Sequence, residues 1–227
     1  MDGIDLIEEE DFLLKKATLS RYQNQEEFLI KLKTYGFVLI SREGKSVNII
    51  KFLLNSIKGR QVRYDFLYPK VTDNHRSLSG KYGLNNFPLH TDGAHLANAP
   101  DYVILFAPKS REAKTLLINP KMFFNIFDYE SKSALFSVQR KNKHYKQRFL
   151  SKVGGKSIIK YNIDTMNPCN DSAIEINRRM ARIQKNAMEV YWNKFYCVVV
   201  DNRSVLHGRS GVSSAQKSYI RRLQVML

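Results

Sequence analysis

Apolar residues recur along the chain at two spacings, and the change from one to the other divides it. Between Asn24 and Tyr35 the positions Phe28, Leu32 and Tyr35 share one face at helical spacing, and Gly36 follows as a stop. A second helix is predicted from Ser46, a capping residue, with Ile49, Ile50, Leu53, Leu54 and Ile57 along one side and Gly59 at its end. Between them "YGFVLI" reads as a buried strand.

From about Phe87 the pattern becomes a series of short β-rich runs, "FPLHTD", "YVILFA", "KTLLIN", "SIIKYNI", "FYCVVVD" and "YIRRLQVML", separated by Gly, Pro and Asn. This predicts a mainly β fold, an antiparallel sandwich or barrel with flanking helices. One long helix interrupts the series. It opens with the capping box Ser172-Ala173-Ile174-Glu175 and is expected to reach about Phe195, with Ile176, Met180, Ile183, Ala187, Val190 and Tyr191 at helical spacing and one face against the sheet. No repeat, low-complexity tract or Pro/Gly/Ser-rich linker marks a boundary, so residues 1–227 are expected to form a single domain.

The chain has 227 residues, 43% hydrophobic and 26% charged, which excludes a wholly disordered chain, a collagen-like fibre and a disulfide-dense scaffold. No apolar run approaches the ~18–20 residues of a membrane helix. The first fourteen residues hold six acids and no Lys or Arg, unlike a signal peptide, so a cytoplasmic protein with no membrane partner is expected. Cys169 and Cys197 are read as reduced and structural. The charge is the unusual number: 37 basic against 21 acidic residues give +16. The basic residues are spread along the chain, except that Arg140 to Lys160 carries eight and no acid. A solvated basic face and an anion-binding surface both stay open.

Candidate chemistry begins at His90-Thr91-Asp92. Strand side chains repeat every two residues, so an imidazole and a carboxylate at this spacing point the same way. In "DNRSVLHGR" a third ligand, His207, follows the run "CVVV", as at a strand end that faces inward. His90, Asp92 and His207 make a candidate facial triad. Such a triad leaves three positions of an octahedral ion open, which suits non-haem Fe(II); tetrahedral Zn²⁺ with a water can use the same ligands. Arg221, 14 residues beyond His207, offers the permanent charge and bidentate fork that hold a dicarboxylate, and Thr115 a hydroxyl.

Together "FPLHTDGAH", "PDYVILFAP", the Thr of "AKTLLINP", "VVVDNRSVLHGR" and "IRRLQV" resemble, in order and spacing, the taurine dioxygenase and clavaminate synthase-like group of Fe(II)/2-oxoglutarate-dependent oxygenases. The match runs discontinuously from about Tyr35 to Leu227. The resemblance implies a double-stranded β-helix, or jelly roll, with Fe(II) on His90, Asp92 and His207, which serve as both metal ligands and catalytic centre. It implies that 2-oxoglutarate, the co-substrate used with O₂, pairs its remote carboxylate with Arg221 and Thr115. Arg222 is set aside, because strand alternation turns it to the opposite face. The implied reaction is hydroxylation of an unactivated carbon, with desaturation or cyclisation as variants, and the carboxylate at Asp92 argues against halogenation. The chain departs from the group in being shorter, in Val225 where several relatives carry a second Arg, and in lacking paired glycines before Thr115.

Substrate contacts are expected from Arg76, Ser79 and Asn86 in the polar stretch before the metal strand, from His95 and from Arg209. Asp201 and Asn202 are expected to hold the loop that aims His207. His75 and His144 read as surface residues. The leading substrate is a small polar metabolite such as an amino acid, free or on an acidic carrier protein, in a biosynthetic pathway. A nucleic-acid partner drawn by the basic surface and a non-catalytic binding jelly roll are the rival readings.

Overall fold

A computed structural model describes residues 15–19, 24–43, 49–67, 81–140, 143–214 and 219–227. Ser46, His75, Arg76 and Ser79 lie outside the described residues. The strands in chain order are β1 (Thr18–Leu19), β2 (Phe37–Ser41), β3 (Arg60–Leu67), β4 (Phe87–His90), β5 (Tyr102–Phe106), β6 (Thr115–Ile118), β7 (Leu135–Arg140), β8 (Lys143–Arg148), β9 (Leu150–Val153), β10 (Lys156–Ile159), β11 (Asn167–Pro168), β12 (Met188–Val190), β13 (Phe195–Asp201), β14 (Leu206–Arg209) and β15 (Ile220–Met226). The main helices are α1 (Gln25–Tyr35), α2 (Ile49–Ile57) and α3 (Asp171–Ile183).

Ten strands form two sheets, ordered β1-β2-β13-β5-β15-β3 and β12-β6-β14-β4. All pairs within them are antiparallel except β1 with β2. The sheets face one another through one apolar layer. Val103 and Leu105 of β5, Val198 and Val200 of β13 and Ile220 of β15 meet Leu117 of β6 and Met188 and Val190 of β12. The spacing of the β-rich runs predicts such an antiparallel sandwich, and the jelly roll is what the resemblance implies.

Both outer faces are also covered, which explains why β13 reads as a continuous apolar run rather than an alternation. Its Val198 and Val200 face the other sheet, while Cys197 and Val199 pack with Phe28 and Leu32 of α1 and Ile49, Leu53 and Ile57 of α2. α1 starts where the Asn24 side chain accepts from the Glu27 amide and ends where Gly36, at φ +80°, donates to Leu32. A Cβ at Gly36 would stand 2.6 Å from Val205 Cγ2, so this turn needs glycine for both conformation and space. On the far side α3 presents Ala173, Ile176, Met180 and Ile183 to a layer that includes Leu89, Ile118 and Leu206.

The long helix differs from its expected bounds. Its cap is Asn170, which accepts from the Ala173 amide, and it ends at Ile183 before a short 3₁₀ turn. Residues 188–190 are strand β12, paired with β6. Val190 had suited a helical stripe, but Met188 and Val190 also alternate, and pairing sends both into the inter-sheet core. The basic stretch Arg140–Lys160 forms hairpins, with the turn of β9 and β10 made by Gly154 and Gly155 at positive φ. Lys146, Arg148, Lys152 and Lys156 are exposed. Lys160 is buried instead, its Nζ donating to the carbonyls of Leu96 and Ala97.

Phe28→Ala removes a fully buried ring at the α1 and sheet interface and is expected to cost about 3–5 kcal/mol, read as a lower urea midpoint at unchanged slope.

Candidate metal centre

His90 ends β4 and stands directly opposite His207 of β14 in the antiparallel register. Asp92 lies two residues past His90, just beyond the strand, yet its carboxylate turns back between the two rings. Nε2 of His90 is 3.4 Å and Nε2 of His207 is 3.6 Å from Asp92 Oδ1, and the ligand atoms all lie within 4.8 Å of one another. All three residues are buried. The strands approach this closely because position 208 is glycine: a Cβ there would stand 2.7 Å from the Phe87 carbonyl oxygen.

The protonation states suit a metal. His90 Nδ1 lies 3.0 Å from the Pro88 carbonyl, which can only accept, so Nδ1 donates there and Nε2 is the nitrogen turned toward the other two ligands. Burial, and then the neighbouring His90, push the His207 pKa down, which keeps that ring neutral. Burial opposes ionisation of Asp92, but hydrogen bonds from His207 and His90 and the charge of Arg222 outweigh it and hold the carboxyl well below its usual range. Two imidazoles and an ionised carboxylate converging on one point fit a divalent transition metal.

Further side chains fix this carboxylate. Arg222 Nη1 donates to Asp92 Oδ1 at 2.9 Å and Gln224 Nε2 to Oδ2 at 2.8 Å. Arg222 also donates to Asp65 of β3. Asn202 clamps the backbone: its Oδ1 accepts from the Asp92 amide at 2.7 Å, and its Nδ2 donates to the carbonyls of Asp92 and Pro100. Thr91, between the ligands, donates its amide to the Tyr161 carbonyl and accepts from the Tyr161 amide with its side-chain Oγ1, so the loop is held on both sides.

The triad opens into a cavity of about 410 Å³ whose walls include Thr115, His95, Asn162, Arg111, Arg209 and Arg222. Thr115, His95 and Arg209 therefore come together with the triad. Asn86 does not: its Oδ1 accepts from the Gly211 amide on a separate, shallow surface depression. Asn202 holds the Asp92 loop rather than His207, and Asp201 pairs with Arg203. Val225 is buried in the helix-side core.

The arginines of β15 are reversed relative to expectation. Arg221 faces the helix side, where its guanidinium lies 5.6 Å from the Phe106 and Tyr219 ring centres and 5.9 Å from that of Phe66. Arg222, which had been set aside, points into the cavity. Ile220 fixes this alternation by packing between the sheets, which turns Arg222 and Gln224 inward and sends Arg221, Leu223 and Val225 outward. Arg111 lies in no motif, and Gln224, though inside "IRRLQV", has no role assigned from the sequence.

No family model and no curated protein matches the chain. Solved structures do. An asparagine oxygenase in complex with Fe(II), 2S,3S-3-hydroxyasparagine and succinate superposes at TM-score 0.67 and 13% identity, over 100% of this chain and 92% of that one. The non-heme iron oxygenase OrfP in complex with Fe and alpha-ketoglutaric acid gives 0.64 and 12%, over 97% and 80%. PvcB from Pseudomonas aeruginosa, an Fe, alpha-ketoglutarate dependent oxygenase from an isonitrile synthetic pathway, gives 0.61 and 15%, over 89% and 79%. At these identities the likeness establishes the shared jelly-roll fold. Within the chain no described helix is long and apolar enough to cross a membrane.

Asp92→Ala and His207→Ala are each expected to abolish stoichiometric Fe(II) binding while leaving the circular dichroism spectrum intact. Asn202→Ala keeps all three ligands but frees the Asp92 loop, and should weaken Fe(II) affinity by about 10–100-fold in a competitive chelator titration.

Proposed function

We propose that this chain is an Fe(II)/2-oxoglutarate-dependent oxygenase that hydroxylates an unactivated carbon of a small polar metabolite, an amino acid being the best-fitting class. The observation that carries this reading is the convergence of His90 Nε2, Asp92 Oδ1 and His207 Nε2 at a cavity of small-molecule size walled by arginines. When bound, Fe(II) supplies the redox chemistry that couples decarboxylation of 2-oxoglutarate by O₂ to attack on a C–H bond.

The remaining contributions come from the chain. His90, Asp92 and His207 hold the ion on one face and leave the cavity side to ligands. Arg222 and Gln224 keep the Asp92 carboxylate ionised and in one orientation. Thr115 directs a hydroxyl-bearing side chain into the same cavity, and Leu96, Leu105 and Ile220 give it an apolar portion that limits water. Arg63, Arg111, Arg209 and Arg222 against Asp92 leave the lining net cationic, which suits two anionic guests, the co-substrate and a substrate that carries a carboxylate. An amino acid meets that requirement, and the relatives in complex with hydroxyasparagine and hydroxyarginine support the same class.

Anaerobic titration of the metal-free protein with Fe(II) and then 2-oxoglutarate is expected to produce a weak visible charge-transfer band that requires both. Succinate release across a panel of free amino acids then identifies the substrate. Absence of the band in folded, Fe(II)-loaded protein overturns the co-substrate assignment.

A further inference from the structure

The six-stranded sheet ends on β3, and that edge is unlike the others. Among the described residues the other edges of the two main sheets are short, with two residues in β1, three in β12 and four in β4. β3 has eight and pairs only with β15. A long edge strand offers free N–H and C=O groups to further strands, and proteins commonly blunt such edges with Lys, Pro or a bulge. Arg60–Leu67 contains no Lys and no Pro. Its bulge falls at Val62, where the register to β15 slips between Gln224 and Val225, so residues 63–67 stay regular. On the helix side Val62, Tyr64 and Phe66 are 46%, 38% and 51% exposed, and none of them joins the apolar cluster under α1 and α2. The Tyr64 and Phe66 rings meet edge to face, their centres 5.1 Å apart. On the cavity side lie Arg63, which is exposed, and Asp65, to which it donates.

A second copy of this chain fits that edge better than an arbitrary strand, because β3 is complementary to itself. Antiparallel pairing about a two-fold axis through Tyr64 sets Arg63 opposite Asp65 of the partner subunit and Asp65 opposite the partner's Arg63, so both cross-strand pairs on the cavity face carry opposite charges. On the other face Tyr64 meets the partner's Tyr64 and Phe66 meets the partner's Val62, which covers the three exposed apolar side chains of each strand. Moving the axis by one residue destroys this match: centred on Arg63 the strands oppose two guanidinium groups, and centred on Asp65 two carboxylates. We propose that the chain forms a two-fold dimer in which the β3 strands pair antiparallel about Tyr64 and join two six-stranded sheets into one. The partner then reaches the rim of the cavity, since Arg63 and Leu67 line it and Asp65 holds Arg222. Pairing depends on the edge alone and not on the reaction performed in the cavity.

Sedimentation velocity of the full chain tests this over about 1–100 µM in about 0.15 M salt, where repulsion between two +16 chains is screened beyond ~8 Å. The wild type is expected to shift with concentration to a species of twice the chain mass. Arg63→Glu makes both charge pairs repulsive and should weaken association about tenfold or more. Tyr64→Lys and Tyr64→Glu each place like charges face to face on the axis, so each alone is expected to sediment as a monomer, and their equimolar mixture to regain the dimer. Both positions are exposed, and unchanged circular dichroism spectra check that the variants fold. A wild type that stays monomeric across the range overturns the proposal. So does a dimer that Arg63→Glu leaves as tight as the wild type, or a mixture of the Tyr64 variants that associates no better than either alone.

Discussion

Taking the Asp92 carboxylate out of water imposes the strictest demand on this protein, since a buried ion without compensation costs several kcal/mol. Much of the nearby polar architecture meets that demand. The rings of His90 and His207 flank one oxygen, Arg222 donates to the same oxygen, and Gln224 donates to the other. Asn202 and Thr91 lock the backbone on either side. The residues that do so come from β4, β14, β15 and the loops after β4 and β13. Only the closed sandwich brings those segments together.

The sandwich can impose this order because it is layered on both faces. Helices α1 and α2 cover one sheet and α3 with the hairpins covers the other, so the strands that carry His90, His207 and Arg222 have apolar neighbours on both sides. Interiors packed in this way resist small displacements, which gives the metal ligands and the clamps around them fixed relative positions. Gly208 is the local price of that closeness, since the backbone of β4 passes where a side chain would stand. Lys160 extends the same logic to the loop after Asp92, trading a basic surface position for two carbonyl contacts.

Electrostatics then separates the cavity into two regions. Around Asp92 the charges balance, with one carboxylate against histidines and a guanidinium. Farther along β14 and β6 they do not, because among the described residues Arg111 and Arg209 hydrogen-bond only to backbone carbonyls. An imbalance of this kind favours an anionic guest at the far end of the cavity and orients it relative to the metal ligands. The same chain therefore needs no large net-charge argument: the residues that matter among its +16 are the few that burial strips of solvent.

The mainly β class and the triad were legible in the sequence, because they depend on local order, and the jelly roll followed from the resemblance the motifs carry. Short β-rich runs between breakers specify strands, and His90, Asp92 and His207 sit in motifs whose spacing survives folding. α1 was legible to its caps for the same reason. The end of α3 was not, since Val190 satisfies both a helical and an alternating pattern, and only pairing with β6 selects one. The sequence could not orient "IRRLQV" either: both arginines are chemically suitable, and the choice of Arg222 for the cavity depends on which face Ile220 buries between sheets that meet only in the folded chain. Arg111 had no local signature at all. Among the described residues it meets a backbone carbonyl and no carboxylate, and that surrounding exists only once three-dimensional packing has decided what lies beside each group.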